Sequence, residues 1–412
     1  MKIMFCGPLR DFSGFAHASR NFLLTLLESD HDVVARAITY DSLDSGQTVE
    51  IPESIADALE GDINDVELLI QMTTPNVEAV PKPGVCNALY TFLEMDRIQV
   101  SWAQQANAFD FVIVPCKENA LAMQRSGVVK PIMVVPPPCN KDIYDVDYPE
   151  FDIPNSEGRT VFYNVCQLSA KKGIDSLLRA YYAAFADRPD EVLLVLKTYI
   201  GMSGRNNQQE LDTVKQFIAR VKQGCRIPTQ LPPVWPIVQT FSDDEIHGLH
   251  RAGDAYVCSS RGEGWGIPVF DALGHGSTVI SHNHGGLEGF VSDNVALVYG
   301  GSMGLCYDMA HPDPMLYTGL ERCWEPSVAE MSDLMRSYHL LRKGNADGSL
   351  DEHNQQQYVS LDHRKLNARH LVSKFDYREV YDKVADQLEA AHRSFVETGE
   401  VRFNPKPEEA VS

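Results

Sequence analysis

Ser259-Ser260-Arg261-Gly262-Glu263-Gly264-Trp265-Gly266-Ile267-Pro268-Val269-Phe270-Asp271-Ala272-Leu273-Gly274-His275-Gly276 is the stretch on which the reading of this chain turns. The run before it, Ala255-Tyr256-Val257-Cys258, is short and apolar, as a buried strand is. Pro268 suits the first turn of a helix, with Val269, Ala272 and Leu273 on its apolar side. The order predicted is strand, glycine-rich loop, helix. A helix start presents unpaired N–H groups and a partial positive charge, which suit a phosphate or a sugar hydroxyl. Glu263 in the loop and Asp271 in the helix flank that opening, and carboxylates accept hydrogen bonds in pairs, as sugar and ribose diols require.

Outward from the stretch, Thr278-Val279-Ile280-Ser281 reads as the next strand and Gly285-Gly286-Leu287-Glu288 as a loop. The whole pattern resembles the signature of the retaining glycosyltransferases of family 4, E-G-F-G-x-P-x-x-E-A-x-A-x-G followed by a strand and G-G-x-x-E. Glu263-Gly264-Trp265-Gly266-Ile267-Pro268, Asp271-Ala272 and Gly276 carry the match, and Asp271 stands where the family has Glu. The resemblance implies the GT-B fold: α/β, two Rossmann-like parallel-sheet domains facing a central cleft. The alternative is an ordinary crossover with two surface acids.

The totals fit two soluble domains. The chain has 412 residues, 44% hydrophobic and 23% charged. No apolar run approaches the ~20 residues that cross a bilayer. Met1 to Gly7 reads as a buried strand rather than a signal peptide, because Arg10 and Asp11 follow closely. Nine scattered cysteines without a C-x-x-C pair point to a reducing compartment, so a cytoplasmic location is expected. A net charge of −21 argues against a broad surface for nucleic acid or anionic membrane.

The first strand runs into Ser13-Gly14, and helical spacing follows through Phe22, Leu23, Leu26 and Leu27. Ser13, Gly14 and Arg20 match the family's S-G-x-x-x-x-x-R, in which the loop closes over the donor's phosphate and sugar. Asn87 to Asp96 reads as a strand ending in two acids, with Trp102 opening the next helix. Two readings of Glu94 stand side by side: it contacts an acceptor hydroxyl or the transferred sugar, or it caps the Trp102 helix with Asp96. Residues 140–157 look like a linker. Thr160 to Cys166 opens the second domain, and Gln167-Leu168-Ser169-Ala170-Lys171-Lys172-Gly173 matches the family's G-R-L-x-x-x-K-G, whose Arg and Lys clamp the donor diphosphate. Lys172 takes the lysine's place, while Gln167 replaces the arginine. Lys171 either supplies the missing charge or faces solvent. Lys197, at the end of the following strand, either faces the phosphate or lies on the surface.

Residues 203–233 read as an irregular crossover, and Val238 to Phe241 as a strand. Ser242 and Glu245 form a capping box. His282 and His284 read as loop histidines rather than a metal pair, since no third ligand is evident. Residues 343–357 read as a loop, and Asp376 to Val396 as an amphipathic helix. The expected organisation is an acceptor-side domain over 1–150, a nucleotide-sugar domain over 151–375, a helix over 376–396 crossing back to the first domain, and a disordered tail over 397–412.

Taken together, the resemblance implies a retaining transferase that moves a sugar from a nucleotide diphosphate sugar to a hydroxyl on a carbohydrate or glycolipid. Lys172, Glu263 and Glu94 are its expected catalytic residues; Gly14, Lys171, Lys197, Gly264, Trp265, Gly266 and Asp271 are its expected donor contacts. The expected co-substrate is the nucleotide sugar, with no metal and no other cofactor. One rival is a virus-type DNA glycosyltransferase acting on a hydroxymethylated pyrimidine, which the negative charge disfavours. Another is a nucleotide-sugar-binding pseudoenzyme, kept open by Gln167 and Asp271. A nucleotide-sugar epimerase would need acid–base groups that the sequence does not identify.

Overall fold

The computed structural model describes residues 1–11, 13–38, 49–75, 79–200, 206–226, 230–306 and 318–403. Near-continuous apolar runs form strands buried on both faces, as parallel sheets demand. The first sheet contains β1 (Lys2–Pro8), β2 (Asp32–Ile38), β3 (Leu68–Met72), β4 (Cys86–Tyr90), β5 (Phe111–Val114) and β6 (Ile132–Val134), in the order β2-β1-β3-β4-β5-β6. The second contains β7 (Thr160–Gln167), β8 (Val192–Tyr199), β9 (Val234–Ile237), β10 (Ala255–Val257), β11 (Thr278–Ser281) and β12 (Leu297–Val298), in the order β12-β11-β10-β7-β8-β9. Every pairing in both sheets is parallel. These are the two Rossmann-like sheets expected from the sequence.

Strand order locates the ligand crevice. In an open parallel sheet, ligands bind beyond the carboxyl ends of the strands where the order reverses. In the second sheet this point lies between β7 and β10, whose following loops are Leu168–Gly173 and Cys258–Gly266. In the first sheet it lies between β1 and β3, and the β1 loop leads to α1 (Gly14–Leu27). The two crevices meet: a Cβ added at Gly14 would touch Ile267 Cδ1, at 3.4 Å.

Four expectations are corrected. Residues 203–233 contain α6 (Asn207–Cys225), a 19-residue helix with a capping box at Asn206 and Gln209. The strand placed at Val238 to Phe241 is β9, four residues earlier. The loop placed over 343–357 is the end of one helix, α9 (Val328–Asp347), and the start of another, α10 (Glu352–Ser373). An antiparallel pair, β13 (Gly301–Leu305) and β14 (Arg322–Pro326), stands apart from both sheets. The expected disorder from 397 does not hold through 403: Val401 is buried, and Phe403 sets its ring edge-on to Phe111 at 5.8 Å. Residues 404–412 lie outside the described residues.

The last helix, α11 (Tyr377–Thr398), buries Val384, Leu388 and Ala391 in the core of the first sheet, against α1. Among the described residues, no helix is long and apolar enough to cross a membrane.

Candidate active site

The lysine turn is built from the carbonyl side. After β7 the chain makes a 3-10 turn, Ala170–Lys172, in which Gly173 N donates to Ala170 O (3.2 Å) and the carbonyls of Lys171 and Lys172 turn to the neighbouring loop for donors. The first residues of the glycine-rich loop supply those donors. Ser259 Oγ donates to Lys172 O (2.9 Å), Ser260 Oγ to Lys171 O (3.2 Å), Arg261 N to Lys171 O (2.6 Å), and Arg261 Nη1 to Ala170 O (2.7 Å). With its backbone fixed in this way, the turn presents both lysine side chains to the crevice. Arg261 is itself held by Asp175 (Nη1–Oδ1, 2.9 Å) and Glu325 (Nε–Oε2, 3.0 Å). His282 secures the same loop from below. Its Nδ1 accepts from the N–H of His284 (3.1 Å), so its Nε2 carries the proton and donates to Ser260 O (2.8 Å). The His284 ring stacks on Trp324 at 4.8 Å. Among the described residues, no group of three or more His, Cys, Asp or Glu side chains is placed to hold a metal ion.

Lys172 and Glu263 meet as an ion pair, Nζ–Oε1 2.7 Å, with side chains 16% and 13% exposed. Burial alone would lower the Lys172 pKa, but the charges of Glu263 and then Glu94, with the Glu263 hydrogen bond, outweigh it and hold the ammonium above its ordinary range. Lys171 and Glu94 pair at 2.9 and 2.7 Å to the two carboxylate oxygens. Lys171 thus carries its charge onto a side chain of the first half rather than into solvent. Glu94 does not cap the Trp102 helix, α3 (Val100–Ala106), whose N-cap is Gln99. Asp96 instead accepts from the N–H of Arg322 (2.6 Å). Gly262 is required by closeness: a Cβ there would run into the carbonyl oxygen of Glu94.

Lys197 is 7% exposed, and its ammonium lies 5.1 Å from the centre of the Phe241 ring. No carboxylate among the described residues lies within salt-bridge distance of it, and burial lowers its pKa from the ordinary lysine value. Lys172, Glu263 and Lys197 all act electrostatically on the thiol of Cys166, which burial raises to about 12. One neighbourhood therefore holds a paired and an unpaired lysine.

Gly14 opens α1, with Ser13 as its N-cap accepting from Ala16 N at 3.0 Å. Arg20 is turned inward, donating to Leu9 O (3.2 Å) and Asp11 O (3.0 Å), so it shapes the β1 loop rather than meeting a ligand directly. On the other side, Gly264 and Gly266 lead into α8 (Ile267–Gly274), with Gly266 as its N-cap.

Two expected donor contacts are placed differently. The indole of Trp265 is 4% exposed and packs among Phe290, Phe375 and Phe270, so only its backbone faces the loop. Asp271 is 7% exposed and accepts from the hydroxyl of Tyr144 at 2.8 Å. Burial raises its pKa to about 7; the Tyr144 hydrogen bond opposes this and the charge of Asp243 adds to it. Residues missed at the sequence level are Arg261, Tyr144 and His282. Arg261 and His282 stand within or beside the decisive stretch, but a single Arg or His has no spacing by which to be recognised.

Known proteins can be set beside this geometry. No protein-family model matches the chain. It is 28% identical over 132 residues to mannosylfructose-phosphate synthase of Agrobacterium fabrum, a match spanning 32% of this chain and 27% of that protein. Among solved structures it resembles Anabaena Alr3699/HepE in complex with UDP and glucose (TM-score 0.61, 16% identity, 94% of this chain and 99% of that one). It also resembles an α,α-trehalose-phosphate synthase (UDP-forming) of Burkholderia xenovorans in complex with glucose-6-phosphate (TM-score 0.62, 12% identity, 94% and 100%). Likeness at this level of identity speaks to the fold, and the fold of this chain is GT-B.

Proposed function

We propose that the protein is a glycosyltransferase of the family 4 type that moves a sugar, with retention, from a nucleotide diphosphate sugar to a hydroxyl of a sugar phosphate. The observation that carries this reading is the lysine turn at the strand-order reversal: Lys172 fixed by the Ser259–Arg261 loop, and Lys197 buried near it with no carboxylate among the described residues within salt-bridge distance. A buried cation without a counter-ion is costly, and a bound diphosphate would supply the missing charge. In this reading Lys172 and Lys197 stabilise the departing diphosphate, together with N–H groups around Gly264 to Gly266 and the start of α1 at Gly14. Glu263, freed from Lys172, takes hydroxyls of the donor sugar, and Glu94 faces the acceptor hydroxyl. Two lysines and two helix starts supply the positive potential, so the reading calls for no metal. The names of the proteins it resembles make UDP-glucose the first donor to try and a sugar phosphate the first acceptor. Catalysis would take place in the cytoplasm, where such donors are free.

Thermal unfolding with UDP-, GDP-, ADP- and dTDP-sugars tests the donor. A ligand at a hundredfold excess over its Kd stabilises by ~2.7 kcal/mol. The wild-type midpoint should rise with one nucleotide sugar, and Lys172→Ala and Lys197→Met should lose that rise. Lys197→Met should melt no lower than wild type, because it removes an unpaired buried charge. If no nucleotide sugar moves the wild type, the reading is wrong. Binding without nucleotide release under any acceptor would leave a binding protein.

A further inference from the structure

Beside the donor crevice lies a cavity of about 480 Å³ to which no role has been given. Its size falls within the ~300–1,000 Å³ of small-molecule sites. One wall is the loop after β4, from Leu93 to Arg97, with Glu118, Asn119 and Arg125 of α4 (Lys117–Arg125); the other is Arg261, His284 and β14. β13 and β14 are an addition outside the two sheets, and β14 is tied to both halves. Trp324 N donates to Arg261 O (2.9 Å), Arg322 N to Asp96 Oδ1 (2.6 Å), and Asp96 N to Arg322 O (3.2 Å). Arg322, which is exposed, and the stacked Trp324–His284 rings both line the cavity.

The cavity shares Glu94 with the donor crevice, since Glu94 both lines it and holds Lys171. Of its four arginines, two are committed. Arg261 is bound by Asp175 and Glu325, and Arg97 by Asp96 at 3.2 Å. The other two are held less firmly. Arg125 forms a long ion pair with Glu118 at 3.9 Å and no hydrogen bond to it, and among the described residues no carboxylate lies within 4.0 Å of the Arg322 guanidinium. In a chain of net charge −21, one guanidinium without a carboxylate among the described residues, beside a second held only by a 3.9 Å pair, marks a place for an anion. The aromatic wall and the Glu94 and Glu118 carboxylates suit a sugar ring and its hydroxyls.

We propose that this cavity is the acceptor subsite, and that Arg322 and Arg125 hold a phosphate monoester on the acceptor while its sugar hydroxyl reaches Glu94. The inference rests on the transferase reading above, but binding can be measured without turnover. Calorimetry on the full chain compares glucose 6-phosphate and fructose 6-phosphate with glucose, fructose and glucuronate. The phosphorylated sugars should bind at least about tenfold more tightly than the neutral ones and than glucuronate. Arg322→Ala and Arg125→Ala should each weaken sugar-phosphate binding by about tenfold, leaving the melting midpoint and UDP affinity unchanged. Arg322→Lys should restore only part of the loss, because a lysine lacks the planar fork. Equal affinity for glucose and glucose 6-phosphate, or arginine variants that bind as wild type does, would overturn the proposal. Preference for glucuronate would place a carboxylate, not a phosphate, in the subsite and overturn it too. Failure of the donor reading shows separately, as absent UDP binding with sugar-phosphate binding intact.

Discussion

Asp271 stands at the second acidic position of the signature but behaves as an interior residue. Its neighbours on α8, Phe270 and Ala272, are buried, and its carboxylate meets Tyr144 from the segment joining the two halves. With a pKa of about 7 in the folded protein against 3.8 for the ordinary side chain, folding takes up a proton between those values. Its contribution is therefore fully present below about pH 4 and is lost as the pH rises to about 7. Three pK units correspond to roughly 4 kcal/mol as an upper figure. Buried histidines titrate with the opposite sign. His282, 1% exposed and lowered to about 4 by burial, with the Ser260 hydrogen bond opposing, costs stability as the pH falls from 6.5 toward 4. Comparison with Asp271→Asn isolates the carboxyl, because asparagine can still accept from Tyr144. Between pH 5 and 8, the wild-type melting midpoint should fall relative to that of Asp271→Asn. Parallel curves would show that Asp271 is ionised throughout and that burial does not govern it.

At the scale of elements, the site depends on one joint. Gly173 ends the turn that carries Lys171 and Lys172 and begins α5 (Ile174–Phe185), at φ +59°. A side chain there would adopt a left-handed conformation and also drive its Cβ into the carbonyl oxygen of Ser259. Gly173→Ala should cost roughly 2–4 kcal/mol in denaturant unfolding and weaken UDP binding, because relief requires the lysine turn and the Ser259–Arg261 loop to part. A variant as stable as wild type, with unchanged UDP affinity, would show that the joint is slack. The sequence made this part of the molecule legible for a physical reason. β7, β8 and β10 are buried over most of their length and so are largely apolar, and the glycines after β7 and β10 are needed for close approach. The elements it concealed have thin apolar stripes. α6 buries only Val214 and Val221, and α10 only Leu361, Ala368 and Val372 amid polar residues. β13 is mostly exposed and has no alternation to detect, so the cavity it helps to roof had no signal either. Lys197 was visible at a strand end, but that no carboxylate among the described residues pairs with it is evident only in three dimensions.

Across the whole molecule, two connections of different kind join the halves. One is covalent and double: the chain crosses at Cys139 and returns at Asp376, and the two passages are hydrogen-bonded, Cys139 N to Phe375 O and Tyr377 N to Cys139 O, both 2.8 Å. Asp376, 0% exposed, accepts from Lys141 N (2.8 Å) and from the Arg378 guanidinium, which ties the two passages of this crossing together. The other connection is the face of the cleft, where Glu94 holds Lys171 and Cys116 Sγ approaches Gly285 O at 3.8 Å. If a nucleotide sugar reaches Lys172 as proposed, it passes between these faces, and opening of the cleft about this crossing is the expected motion. The Lys171–Glu94 pair is about a fifth to a quarter exposed, which makes it worth ~1 kcal/mol and sensitive to salt. A free energy of that size shifts a two-state balance by about fivefold. Lys171→Met should therefore raise the radius of gyration measured by small-angle X-ray scattering without ligand, and 1 M salt should move the wild type in the same direction. A saturating nucleotide sugar should draw both proteins back to one compact form, because the contacts proposed for it at Lys172 and the helix starts would exceed the single pair. Asp376→Asn should behave differently, lowering the melting midpoint through this crossing rather than favouring an open form. If scattering from the wild type, Lys171→Met and the high-salt sample coincides, the pair does not govern closure, and the packing of Gly262 and Gly264 on the loop after β4 holds the cleft shut on its own.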